Sequence, residues 1–193
     1  MKKLLLAACI STSLLGACAT SMNSPMGASA MPMAAPMVGG AAMYPSKDII
    51  DNAVNSKDHT TLVAAVKAAG LVDTLKSAGP FTVFAPTNAS FAALPAGTVD
   101  TLLKPENKAM LTNVLTYHVV PGRVDAAALS QMIRAGNGRA LLKTASGGTL
   151  VATMSGNNVL ITDAKGGSAT VTIADVYQSN GVIHVVNKVL LPG

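Results

Sequence analysis

Three histidines, His59, His118 and His184, two cysteines and ten methionines are the side chains of this 193-residue chain best able to do chemistry. Imidazole serves as a base, a proton shuttle or a metal ligand, and the thioether is a soft ligand suited to Cu(I). Six methionines, Met22, Met26, Met31, Met33, Met37 and Met43, fall in one stretch without a histidine, which points to Cu(I) or oxidant scavenging rather than Cu(II). The histidines stand singly, so their spacing does not make a metal site. No Gly-x-Ser-x-Gly elbow or His-Glu-x-x-His helix is present, and the one glutamate, Glu106, has no carboxylate near it in sequence. Gly136-Asn137-Gly138 lacks the third glycine of a dinucleotide loop and reads as a helix-ending turn. These patterns predict no catalysis and no cofactor.

The two cysteines lie at the N-terminus. Lys2 and Lys3 precede an apolar stretch too short to span a bilayer, the layout of a secretory signal over residues 1–17. Leu15-Gly16-Ala17-Cys18 resembles the bacterial lipobox, which predicts acylation of Cys18 and a lipid-anchored product. Ala19, where an aspartate would hold such proteins at the inner membrane, implies sorting to the outer membrane of the bacterial envelope. Cys9 lies inside the signal, so the mature chain has one cysteine and no internal disulfide. Loss of Lys2 and Lys3 lowers the formal charge from +5 to +3, and the remaining cations are scattered, so nucleic acid is excluded as a partner.

Residues 18–45 are rich in Met, Pro, Ala and Gly, with no charged side chain, and predict a flexible tether. Residues 46–193 form the predicted domain. Aromatic residues are only 3% of the chain and Trp is absent, so Val, Leu, Ile and Ala must fill its core. Helices are predicted from Ser46, from Ser56 to Gly70, around Leu71 to Leu75, after Thr87 or Asn88, over Val99 to Leu103, and from Pro105 towards Tyr117. Phe81 to Ala85 reads as a buried strand. Beyond a helix over Asp125 to Arg134, strands are predicted at 141–144, 149–154, 159–162, 170–176 and 182–190, separated by Gly/Asn turns. This order predicts an α+β fold. His118 falls on the apolar helical face of Leu111, Val114 and Leu115, and His184 alternates with Val182 and Val186, so both read as core imidazoles. His59, at the polar start of a helix, reads as solvated.

Gly79-Pro80-Phe81-Thr82-Val83-Phe84-Ala85-Pro86-Thr87-Asn88, Leu115-Thr116-Tyr117-His118-Val119-Val120-Pro121-Gly122 and the run from Ser179 to Pro192 resemble, in order and spacing, signature segments of fasciclin-like domains. The resemblance implies a β wedge or sandwich of mostly antiparallel strands flanked by several short α-helices. It also implies a role in adhesion to a protein or polysaccharide rather than catalysis. In animal members the tyrosine–histidine segment is associated with integrin binding, which implies Tyr117 and His118 as partner contacts. Asn187 stands where the family commonly carries aspartate, which implies a neutral hydrogen-bond network near the last strand. The scarcity of Trp and Tyr disfavours recognition of sugars by aromatic stacking.

Overall fold

The computed structural model describes residues 35–95 and 97–193. The signal segment, Cys18, Met22, Met26, Met31 and Met33 lie outside the described residues.

Folded structure begins inside the segment expected to be a flexible tether. Strands β1 (Met37–Val38) and β2 (Ala41–Ala42) pair antiparallel across Gly39-Gly40, whose positive φ angles make the turn. A Cβ on Gly39 would lie 2.3 Å from Ser56 Oγ, so the turn presses directly on the domain. Val38 and Met43 are buried in the main core. The low-complexity composition conceals these two apolar anchors, and the Gly-Gly pair supplies a turn instead of slack. Residues 37–43 of the segment expected to be a flexible tether over 18–45 are thus part of the folded domain.

Helix α1 (Ile49–Ala53) is capped by the Asp48 carboxylate, which accepts from Asp51 N at 2.7 Å, rather than by Ser46. A 3-10 turn at Lys57–His59 leads into α2 (Thr60–Ala69), which ends at left-handed Gly70 as its sequence predicts. Helix α3 (Val72–Lys76) precedes strand β3 (Phe81–Pro86). Thr87 and Ser90 form a reciprocal capping box on α4 (Asn88–Ala92), and α5 (Thr98–Leu103) follows. Pro105 opens a separate 3-10 turn, Pro105–Asn107, before α6 (Lys108–Tyr117). His118 is the C-cap of α6, and the next residues form a strand the sequence reading misses, β4 (Val119–Pro121). Asp125 caps α7 (Ala126–Ala135), after which come β5 (Arg139–Lys143), β6 (Thr149–Ser155), β7 (Asn158–Thr162), β8 (Ser168–Gln178) and β9 (Gly181–Val186).

The seven long-range strands form one sheet in the order β4-β3-β9-β8-β7-β6-β5. All neighbours are antiparallel except β3 and β9, which run parallel in register from Phe81 opposite Gly181 to Pro86 opposite Val186. The architecture is α+β, with the sheet flanked by short helices. Strands β3 and β9 are covered on both faces, as parallel pairs generally are. Val83, Ala85, Ile183 and Val185 face one core with α1, α2 and α6, whereas Phe84 and Val186 face a second built on α7 and β5 to β8. Strand β8 belongs to both halves of the sheet. Register shifts between Val171 and Val176, with Asp175 at φ 57°, bend it between them.

The docking of the β1–β2 hairpin generates a prediction. Replacing Met43 by Ala removes a core side chain and is expected to cost about 2–4 kcal/mol in urea unfolding. Replacing exposed Met37 by Ala is expected to change stability by less than about 0.5 kcal/mol.

Candidate functional site

The tyrosine–histidine segment sits where α6 hands the chain to β4, and both side chains turn inward. Tyr117 is 1% exposed and His118 is 2% exposed. His118 Nδ1 lies 2.8 Å from Val114 O, one turn back on α6, and its Nε2 lies 2.9 Å from Leu190 N. The carbonyl can only accept and the amide can only donate, which fixes a neutral ring with its proton on Nδ1. Burial lowers the His118 pKa from 6.5 to about 4, against the smaller opposing effects of the Val114 carbonyl and the Asp163 charge. The imidazole is thus a brace between α6 and the C-terminal segment.

Tyr117 makes a second brace. Its hydroxyl donates to Thr149 O at 2.9 Å and accepts from Ala164 N at 3.0 Å, tying β6 to the turn after β7. Its ring packs against Gly148, where a Cβ would come within 2.5 Å of the ring. Asp163, also buried, accepts from the amides of Lys165, Gly167 and Leu191, so the same corner holds the C-terminal segment a second time. The resemblance implies Tyr117 and His118 as partner contacts; the structure places both side chains in the interior.

His184 is fully buried on β9 and stacks on Phe84 with centroids 5.6 Å apart. Its Nε2 donates to Val124 O at 2.8 Å and its Nδ1 accepts from Asp175 N at 3.4 Å. This tautomer is opposite to that of His118, and the ring pins the bend in β8 to the approach to α7. Burial lowers its pKa. His59, expected to be solvated, is 3% exposed beneath the β1–β2 hairpin, with Nδ1 2.9 Å from Ser56 Oγ. Burial lowers its pKa as well. The misreading follows from the missed hairpin. Asn187 is exposed, and its neutral Oδ1 accepts from Thr170 N at 2.8 Å beside the last strand.

With all three imidazoles packed inside, none is available as an exposed base. Met43 is likewise withdrawn from the methionine set by burial, while Met37 stays exposed on β1. Among the described residues no group of three His, Cys, Asp or Glu could hold a metal. An interior cavity of about 70 Å³, lined by Ile50, Leu62, Val66, Leu75 and Leu115 among others, lies between the helices and β3. It is roughly half the size of an apolar cavity of ~150 Å³ that admits benzene.

The brace geometry fixes a pH dependence. The unfolded His118 ring protonates near pH 6.5, whereas the folded ring resists until about pH 4, so the unfolded chain binds more protons in between. Its contribution is complete above pH 6.5, is lost as the pH falls to about 4, and amounts to about 3 kcal/mol at about 1.4 kcal/mol per pKa unit. Urea unfolding across this window is expected to show stability rising with pH. His118→Leu, which can satisfy neither backbone group, is expected to cost about 1–3 kcal/mol at neutral pH and to flatten that slope.

Comparison with known proteins agrees with this architecture. The fasciclin domain family model matches residues 57–192. Protein sll1483 of Synechocystis is 47% identical over 156 residues, covering 81% of this chain and 79% of its own. The cell surface glycolipoprotein MPB83 of Mycobacterium bovis is 30% identical over 160 residues, covering 80% of this chain and 64% of its own. Among solved structures, a FAS1 domain pair from the insect cell adhesion molecule fasciclin I superposes with a TM-score of 0.53 at 23% identity. That match covers 67% of this chain and 43% of the insect chain, so this chain spans less than half of the pair. Among the described residues no helix is long and apolar enough to cross a membrane. The family match over most of the chain and the identity to sll1483 establish that this chain belongs to the fasciclin domain family.

Proposed function

We propose that this protein is a lipid-anchored binding module of the bacterial cell envelope that recognises a protein or polysaccharide through its outer surface and catalyses nothing. The observation that carries the reading is the burial of every histidine together with the signature tyrosine, Tyr117, which assigns these residues to the framework and leaves the loops and exposed sheet edges to meet a partner. The lipobox-like Leu15-Gly16-Ala17-Cys18 supports the anchor. The similarity to MPB83, a cell surface glycolipoprotein, supports the same placement. In this reading Cys18 carries acyl chains, each methylene adding about 0.8 kcal/mol of membrane affinity, and the residues between Cys18 and the β1–β2 hairpin space the domain from the lipid. Ala19 favours the outer membrane.

Two measurements test this. Labelled palmitate is expected to mark the wild-type protein and not Cys18→Ala, and the variant is expected to leave the membrane fraction. Full-length protein in detergent is expected to retain envelope or biofilm material. A palmitate-free product, or turnover of a metabolite by the purified protein, contradicts the reading.

A further inference from the structure

Strands β1 and β2 are two residues each, and a hairpin that short has little stability of its own. It is fastened to the domain by the buried side chains of Val38 and Met43 and by a backbone hydrogen bond from Lys57 N to Gly39 O at 3.1 Å. The next residue is clamped harder. Asn52 Oδ1 accepts from Tyr44 N at 3.1 Å, and Asn52 Nδ2 donates to Tyr44 O at 2.8 Å. Residues 37–43 therefore form a strap with a light fastening and a firm hinge at Tyr44.

Beneath the strap lies a polar ring in apolar surroundings. His59 lines a cavity of about 20 Å³ together with Val38 and Met43 of the strap, and the side chains that α1, α2, β3, β8 and β9 turn into it are all apolar. Its Nδ1 pairs with Ser56 Oγ, the atom Gly39 packs against, but its Nε2 is buried without a hydrogen-bond partner. His118 and His184 differ in this respect, since both nitrogens of each ring meet a backbone group. The cavity is the size of about one water, yet His59 is the one polar side chain in its lining, so a water there lacks the two to four partners it needs.

In the neutral ring Nε2 carries an unused lone pair or an unused N–H, depending on the tautomer. Protonation raises the cost. The imidazolium has a proton on both nitrogens, so Ser56 Oγ serves one while the other becomes a charged donor facing alkyl groups. Two charged side chains neighbour the ring, both on its own 3-10 turn and both exposed: Lys57 and Asp58. Burial lowers the His59 pKa, and the Asp58 charge and the Ala85 carbonyl oppose it more weakly.

We propose that residues 37–43 are an acid-released strap with His59 as its trigger: lifting Val38 and Met43 off the ring lets water reach Nε2 and so relieves the buried cation. Release bares the apolar cavity that the two side chains close, and it frees about 20 Å of extended chain on the N-terminal side of Tyr44. With the strap released the ring titrates near its ordinary 6.5, and with the strap seated it titrates lower. The seated form is therefore fully favoured above pH 6.5 and loses ground as the pH falls towards the lowered value, the released-to-seated ratio rising by up to about tenfold per pH unit. Only the gain in reach from a membrane depends on the lipid anchor.

NMR of the full-length protein in detergent tests this, with ¹³C-labelled methionine methyls and amide hydrogen exchange read between about pH 7.5 and about pH 5. On acidification the Met43 methyl is expected to leave its folded position and Lys57 N, the donor to Gly39 O, to lose at least tenfold in protection, both in step with protonation of the His59 ring. The amides of β6 and β7 are expected to stay protected, which separates release of the strap from unfolding of the domain. His59→Phe keeps a ring that cannot charge and is expected to hold Met43 in its folded position throughout. His59→Gln, neutral and smaller, is expected to do the same and serves if Phe does not fit. Asp58→Asn removes a charge that favours the imidazolium and is expected to move release to lower pH. A Met43 methyl still in its folded position at about pH 5, release that persists in both His59 variants, or loss of β6 and β7 protection together with the strap overturns the proposal.

Discussion

The parallel pairing of Phe81–Pro86 with Gly181–Val186 is the constraint on which the rest of the structure depends. It joins a strand from the helical half of the chain to the last strand, across most of the domain's sequence. Both faces of the pair are buried, and each face therefore demands its own core. The close approach leaves room only for hydrogen at two positions: a Cβ on Gly79 would sit 2.2 Å from Asn180 O, and one on Gly181 would sit 2.1 Å from Phe81 O. The glycines of two signature segments are thus explained by the contact of one segment with the other.

Around this pair the buried polar side chains act as cross-braces between elements that hydrophobic packing alone would leave free to slide. His118 fixes the C-terminal segment to α6, His184 fixes the bend of β8 to the approach to α7, and Tyr117 fixes β6 to the turn beyond β7. Thr82 joins them, donating to Gly122 O at 2.7 Å and accepting from Val124 N at 2.8 Å. Each such group would cost free energy if buried without its partners, so the set rewards one arrangement of the strands and penalises its neighbours. The described residues contain no cysteine and no Trp, and they gain definition in this way.

Much of this was legible in the sequence. Local signals located most elements: the Gly70 cap, the strand between Pro80 and Pro86, the Asp125 helix and the Gly/Asn hairpins all follow from residues within a few positions of one another. The core role of His118 and His184 also followed from the apolar faces they share. What was not legible depends on distant partners. Strand β4 is three residues long and exists because β3 lies beside it, and the parallel register of β3 and β9 leaves no trace in either segment alone. The β1–β2 hairpin was hidden because Val38 and Met43 are the two anchoring residues in a stretch whose composition otherwise signals a linker. His59 was misplaced for the same reason, since the hairpin is what covers it.

The functional reading depends on the imidazoles being framework groups in fixed, opposite tautomers. The most direct test is long-range ¹H–¹⁵N NMR of the histidine rings in the folded protein during a pH titration. The account predicts His118 neutral with its proton on Nδ1 and unchanged on acidification to about pH 5, and His184 neutral with its proton on Nε2 and titrating below its ordinary range. Either ring titrating near its ordinary value of 6.5, or found in the other tautomer, would contradict it.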